Sequence, residues 1–392
     1  MSLFLLTFFL IYGVVHLYLF TKIKVAFHPS PAVSVILIII LVLMILAPIL
    51  VRICERYGLD TWASIMSYTG YIWMGVLFLF FVSSILLDIY HLLIRAGALI
   101  SHRDFSHLVL SPLYAFLLPL IISSAINVYG YFEAKDIRTE KITIASPKIP
   151  EAAGRIRIVQ ISDVHIGIIV KGERLKHIVE EIKKTEPDIL VSTGDLVDGQ
   201  IDSLTENSTF LRDIHPRYGK FAITGNHEFY AGLNQAIDFT RTAGFVVLRE
   251  ESINVAGVIN IAGVDDPTGD AFGLAQEISE SKLLLGLSHQ RFTVLLKHRP
   301  VIEKDSVGHF DLQLSGHTHN GQIFPFNFVV RRFYPLITGY YNLPNDTHLY
   351  VNSGAGTWGP PIRFLSPPEI TVIDLIHGRT EKTKLDIKIN SC

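Results

Sequence analysis

The chain reads as an α/β protein in two parts, an N-terminal four-helix transmembrane bundle followed by a two-sheet β-sandwich flanked by helices. Three observations predict this. The first third is almost wholly apolar and falls into four long runs. From Arg155 onward an apolar strand, a polar cluster and a helix recur in that order, which is how open α/β sheets present side chains at the carboxyl ends of their strands. From Phe292 the chain turns strand-rich, which calls for a second sheet packed on the first.

The apolar runs are Leu3–Phe20, Val33–Val51, Met66–Leu87 and Leu108–Val128, each close to the ~20 residues a helix needs to cross a bilayer core. No basic residue precedes the first and no small-residue cleavage site follows it, so it reads as a span rather than a signal peptide. Tyr12, Tyr18, Tyr71 and Trp73 suit interfacial or bundle-packing positions. His16 and Asp88 are ionisable groups lying toward the carboxyl ends of the first and third runs. They are read as interfacial or helix-packing groups that could meet, rather than as a proton path. Lys22, Lys24, Arg95 and Arg103 flank one side of the bundle. Arg52, Arg56, Lys135, Arg138, Lys141 and Lys148 flank the other, and this richer side leans to the cytoplasm with both termini. The expected organisation is a membrane domain over 1–130, a linker over 131–154 containing Pro147 and Pro150, and a globular domain over 155–392.

Composition excludes some functions. The formal net charge of −2 offers no concentrated basic face for specific nucleic-acid binding. The two cysteines, Cys54 and Cys392, give neither a disulfide framework nor a thiolate metal site.

In the second part Arg155–Ile161 alternates and then runs apolar, as a strand does, and ends at Asp163-Val164-His165. Leu175–Thr185 has helical periodicity, Pro187 stops it, and strand Asp188–Ser192 ends at Gly194-Asp195-Leu196-Val197-Asp198. Strand Phe221–Thr224 ends at Gly225-Asn226-His227-Glu228, and Ala236–Thr242 resumes as helix. Strands Phe292–Leu296 and Asp311–Ser315 run into Lys297-His298-Arg299 and Gly316-His317-Thr318-His319. His348–Asn352 and Glu369–Leu375 complete the pattern. Carboxylate, amide and imidazole groups at successive strand ends are the ligands of hard-to-borderline divalent metals. Singly each has a plainer use: Gly-Asn as a turn, Gly-Asp as a helix cap, His298 as a structural histidine. Two histidines flanking one threonine after an apolar strand have few packing uses.

Together these motifs resemble the calcineurin-like metallophosphoesterases. The resemblance runs from about Arg155 to Leu375 and takes in Glu186-Pro187-Asp188, Gly321-Gln322 and Val351-Asn352-Ser353-Gly354. The full arrangement is similar to bacterial membrane phosphoesterases and to vertebrate transmembrane proteins carrying such a domain. The resemblance implies two packed mixed sheets and two divalent cations, manganese, iron or zinc. It implies one cation held by Asp163, His165, Asp195 and His319, the other by Asp195, Asn226, His298 and His317. It also implies in-line attack of an activated water on a phosphoester, lipid-linked or nucleotide. His317 and His319 would lie on one side of an extended segment, as side chains two apart do. His227 would be the catalytic non-ligand, stabilising charge or protonating the leaving oxygen. Asp198 and Glu228 would orient ligands, and Arg299 would hold either substrate phosphate or a surface partner. Expected partners are the phosphoester substrate and membrane lipid, with no obligate protein partner.

Ile323–Tyr341, directly after the last histidine, is aromatic-rich with Arg331-Arg332 at its centre. It reads as a hairpin packed on the core, with a membrane-facing lip as the alternative. Two rival functions remain. One is a receptor or transporter with a ligand-binding domain, for which the helices offer little polar path. The other is a binuclear amide hydrolase, which usually opens with His-x-His where this chain has Asp-x-His.

Overall fold

The computed structural model describes residues 2–199, 205–274, 276 and 278–378. Cys392 and the rest of the expected domain's C-terminal tail lie outside the described residues. The chain divides into two compact units, Met1–Phe132 with Gly359–Ile362, and Glu133–Trp358 with the chain from Arg363 onward.

The first unit is built from α1 (Ser2–Phe27), α2 (Pro31–Arg56), α3 (Asp60–Ser101) and α4 (Pro112–Glu133), all long and apolar enough to cross a membrane. Pro31 opens α2, where a missing N–H costs nothing. Tyr12 and Leu19 of α1, Leu41 of α2, Leu77 and Phe80 of α3, and Phe116 of α4 share one buried cluster. At 42 residues, α3 outruns its apolar stretch and reaches ~63 Å. Nothing between Asp88 and Ser101 breaks a helix, so the helix continues until His102 takes a left-handed conformation (φ 52°). His16 and Asp88 do not pair. Trp73 Nε1 donates to His16 Nε2 (2.9 Å) and His16 Nδ1 lies 2.7 Å from Tyr12 O. Asp88 instead accepts from Tyr18 (2.7 Å) and is paired with Lys22. Both polar groups therefore serve helix packing.

Among the described residues the second unit holds twelve strands, here β1 (Arg138–Ser146), β2 (Arg155–Ile161), β3 (Ile189–Ser192), β4 (Lys220–Ala222), β5 (Val246–Val247), β6 (Glu251–Val255), β7 (Ile259–Gly263), β8 (Phe292–Leu296), β9 (Leu312–Ser315), β10 (Gly339–Leu343), β11 (Thr347–Val351) and β12 (Glu369–His377). They form two mixed six-stranded sheets, ordered β1-β12-β2-β3-β4-β5 and β10-β11-β9-β8-β7-β6. Helices α5 (Glu173–Lys184), α6 (Thr205–Arg212), α7 (Asn226–Ala231) and α8 (Leu233–Thr242) belong to the crossovers of the first sheet. In each sheet the strands that lead to polar motifs run parallel, β2-β3-β4 in one and β7-β8-β9 in the other. Parallel neighbours end on the same side, so their loops meet at one edge.

Strand β1 lies within the stretch read as linker. It pairs in parallel with β12 along its whole length. Its first four residues, Arg138 to Lys141, are exposed, and an edge strand dressed in charge resists pairing with other chains but hides its own strand character. The Glu186-Pro187-Asp188 turn is held by Arg157. Its N–H donates to Asp188 (2.8 Å), and its guanidinium donates to Thr185 O (2.9 Å) and to both oxygens of Asp374 (2.8 and 2.9 Å).

The main core lies between the sheets, with Ile158, Val191 and Phe221 from one against Ile261, Val294 and Leu314 from the other. Ile158 is fully buried. Ile158→Ala should cost ~3 kcal/mol of unfolding free energy, the cost of a core cavity that neighbours refill only in part. Denaturant titration of the detergent-solubilised chain by circular dichroism checks this, and a loss under about 0.5 kcal/mol, the scale of a surface change, would contradict the packing.

Candidate metal centre

The loops at the carboxyl ends of β2, β3, β4, β8 and β9 bring Asp163, His165, Asp195, His227, His298, His317 and His319 close together. Three groups stand out, each with ligand atoms within 4.8 Å of one another: Asp163 with His165 and His319, His165 with Asp195 and His227, and Asp195 with His298 and His317. Asp195 belongs to two of them. Its Oδ2 lies 3.3 Å from His298 Nε2 and 3.9 Å from His165 Nε2, and its Oδ1 accepts the His227 N–H (2.8 Å).

The backbone is bent to achieve this. Asp163, His165, Asp195, His317 and His319 all have positive φ, between 48° and 70°, where a non-glycine residue costs about 1 kcal/mol or more. The expected extended segment through His317 and His319 is therefore a turn, with left-handed His317 and His319 on either side of a right-handed Thr318. Its effect is to send the rings apart: His317 Nδ1 meets His298 Nε2 (3.1 Å), whereas His319 Nε2 meets His165 Nε2 (3.1 Å) and Asp163 Oδ1 (3.3 Å). The two histidines lie in different groups. Glycines make room. A side chain at Gly316 would collide with Ser162 Oγ and the Asp163 carboxylate, and one at Gly225 with the Asp195 carboxylate.

Outer partners fix the ligands. Glu228 accepts N–H groups from Asp195 (3.0 Å), Leu196 (2.8 Å) and Gly225 (2.6 Å), so one carboxylate ties the β3 loop to the β4 loop. His298 Nδ1 lies 2.8 Å from Thr193 O, which fixes Nδ1 as a donor and points Nε2 at Asp195. Asp198 holds His227 Nδ1 at 2.9 Å. Arg299 makes a bidentate pair with Asp266 (2.7 and 2.8 Å) and reaches Thr268 (3.0 Å), so it faces a buried protein partner rather than open solvent.

Electrostatics follow the crowding. Burial would raise Asp163 and Asp195, but His319 beside the first and His298 beside the second outweigh it and hold both below the usual carboxylate range. Burial would lower His298 and His227, yet Asp195 pushes them up to about 10 and about 9. Burial lowers His317 to about 3 and His319 to about 4. Divalent cations would answer the same carboxylates, and a cation taking His298 as ligand would displace its proton. Buried donor atoms fit that role. Asn226 Oδ1 is buried with no hydrogen-bond partner, a costly state for a carbonyl unless a cation meets it. His165 Nδ1 lies 3.5 Å from Asp198 Oδ1, too poorly aligned for a hydrogen bond.

Four nearby residues escaped the sequence reading. Asp266 follows β7, and the same strand-end logic applied to Asp265-Asp266 would have found it. Ser162 donates to Asp163 (2.6 Å). Tyr334 lies edge-on to the His317 ring at 5.0 Å. Arg363 is fully buried, donates to Gly354 O and Gly356 O, and lies 3.3 Å from His319 Nδ1. No local pattern announces a buried arginine.

The calcineurin-like phosphoesterase family model matches residues 156–321. An uncharacterized metallophosphoesterase of Aquifex aeolicus is 37% identical over 257 residues, covering 65% of this chain and 98% of that one. The chain belongs to the calcineurin-like metallophosphoesterases. An uncharacterized metallophosphoesterase of Campylobacter jejuni is 32% identical, covering 82% and 83% of the two chains. A transmembrane protein with metallophosphoesterase domain from Danio rerio is 31% identical over 340 residues, covering 82% and 76%. As a metallophosphoesterase the chain is a metal-dependent hydrolase of phosphoesters, and its four apolar helices associate it with a membrane.

The cluster predicts a specific sensitivity. Gly316→Ala should displace Asp163 and lower metal content at least tenfold, the lower range for losing a partner that orients a ligand, while secondary structure stays intact. Elemental analysis beside circular dichroism checks this, and full metal content would refute the steric argument.

Proposed function

We propose that this hydrolase uses two divalent cations sharing Asp195, the first held also by Asp163, His165 and His319, the second by Asn226, His298 and His317. The observation that carries the reading is Asp195 itself, a buried carboxylate adjoining imidazoles of both groups. The unpartnered Asn226 Oδ1 supports it, since an amide oxygen can complete a cation's shell but cannot take up a proton at neutral pH. Imidazole with oxygen ligands suits manganese, iron or zinc better than calcium. Cations held there would polarise the phosphoryl oxygens of a substrate and make a bound water acidic.

The chain's own groups do the rest. Glu228 holds the Asp195 and Asn226 loops in register. Asp198 engages Nδ1 of His227, so Nε2 is the nitrogen available to meet the leaving oxygen and give it a proton. Gly-rich closure around Asp163 and Asp195 keeps the carboxylates from rotating away. The helices make the protein multi-pass, with the catalytic domain of residues 155 onward on the cytoplasmic side. The substrate is a phosphoester of lipid or nucleotide type.

Full-length protein in detergent with manganese should hydrolyse a chromogenic phosphodiester or monoester. No turnover on either with two metals bound per chain would favour a ligand-binding role. Asp195→Asn should remove both metals and cut turnover by more than the ~100-fold typical of losing an outer partner. His227→Ala should keep both metals and lose ~10²–10⁴-fold in kcat, and loss of metal together with activity would refute its non-ligand role.

A further inference from the structure

Part of the aromatic segment after His319 packs on the core as a hairpin should: Ile323 and Ile337 are buried, and Leu336, Tyr340 and Tyr341 pack against the core where β10 pairs with β11. Residues Asn327–Phe333 form a short helix with no buried residue, and Phe328 and Phe333 leave 65% and 73% of their surface exposed. Over Asn327–Phe333 the expected packed hairpin is not formed. The structure instead turns those side chains outward.

They are part of a larger surface. Phe324 and Phe328 stack edge-to-face at 5.7 Å. Phe324 N–H donates to Phe364 O, and Phe364 N–H donates to Gln322 O. The Gln322 amide bonds Trp358 in both directions, at 2.9 Å each. Exposed Phe324, Phe328, Trp358 and Leu365 therefore hang from one hydrogen-bonded seam. At one end the seam starts at the metal centre, since Gln322 lies three residues past His319 and the Trp358 ring lies 6.2 Å from that of His227. At the other, Leu365 N–H donates to the Glu133 carboxylate (3.1 Å), and Glu133 closes α4, the last apolar span.

Contiguous exposed apolar surface of this kind marks a binding face. Its occupant follows from the chain itself. The seam is bonded to the residue at which a membrane helix ends, and only residues 134–137 separate that helix from β1. Any lipid-compatible face on this unit is thus presented to a bilayer at high effective concentration. Aromatics with adjacent cations, here Arg331 and Arg332, both exposed, are the composition that seats at a headgroup boundary.

We propose that this face sits in the lipid interface beside the metal centre, and that the phosphoester hydrolysed is a phospholipid headgroup. The proposal rests on the two-cation hydrolase reading and names its substrate class. Lipid would reach the cations along the seam without leaving the bilayer, with Trp358 at the entrance.

Full-length protein in phosphatidylcholine nanodiscs tests it. Trp62→Phe with Trp73→Phe leaves Trp358 as the sole tryptophan of the three, and brominated phospholipid should then quench its emission. Nanodiscs doped with phosphatidic acid or phosphatidylglycerol should yield headgroup product from at least one. Phe328→Asp with Phe333→Asp should lower the ratio of lipid to soluble-ester turnover about tenfold or more, as expected for losing a buried phenylalanine contact. Arg331→Glu with Arg332→Glu, a change confined to exposed charge, should lower that ratio on anionic discs and guards against misfolding of the first pair. Unquenched Trp358, or hydrolysis of the soluble ester with neither lipid touched, overturns the proposal. An unquenched Trp358 with concentration-dependent dimerisation assigns the face to a second copy instead. Failure on soluble and lipid esters alike, with metals bound, strikes the hydrolase reading rather than the lipid face.

Discussion

Asp195 sits at the end of β3 with its side chain wholly inside the protein, within reach of His298 on one side and His165 on the other. A buried carboxylate is tolerated only where cations or donors answer it. Much of the second unit is arranged to supply them. Glu228 clamps the loop that carries Asp195, Gly225 clears space for its oxygen, and both sheets end their parallel strands at the same edge to bring imidazoles around it. The left-handed turns at five of the seven proposed ligands are the strain cost of that convergence, met by a large core between the sheets.

What was legible in the sequence was chemistry at strand ends. Asp163, Asp195, Asn226 and His298 each follow an apolar run that could only be a buried strand, so residue type and position agreed. The geometry joining them was not legible. His317 and His319 are two apart, and simple alternation expected an extended backbone where a turn stands, because positive φ in a non-glycine residue leaves no mark in sequence. Glu228 was readable as an orienting carboxylate but not as the clamp between two loops. Arg363 is paired only by the fold. β1 was hidden by exposed charge, and α3 was cut short because apolar length marks where lipid must be, not where a helix stops.

The segment from Phe324 to Phe333 shows a different limit. Its composition is that of a core element, and composition cannot say whether aromatics face a core or a bilayer. Burial excludes the core for Asn327–Phe333, where no residue is buried.

The central claim is that Asp195 joins two cations into one centre. Electron paramagnetic resonance of the manganese-loaded full-length protein tests it most directly, because ions sharing a carboxylate at ~3.5–4 Å are magnetically coupled and distant ions are not. The account predicts an exchange-coupled manganese pair that disappears when Asp195 is changed to asparagine. Two equivalents of bound manganese giving only the spectrum of isolated ions would contradict it.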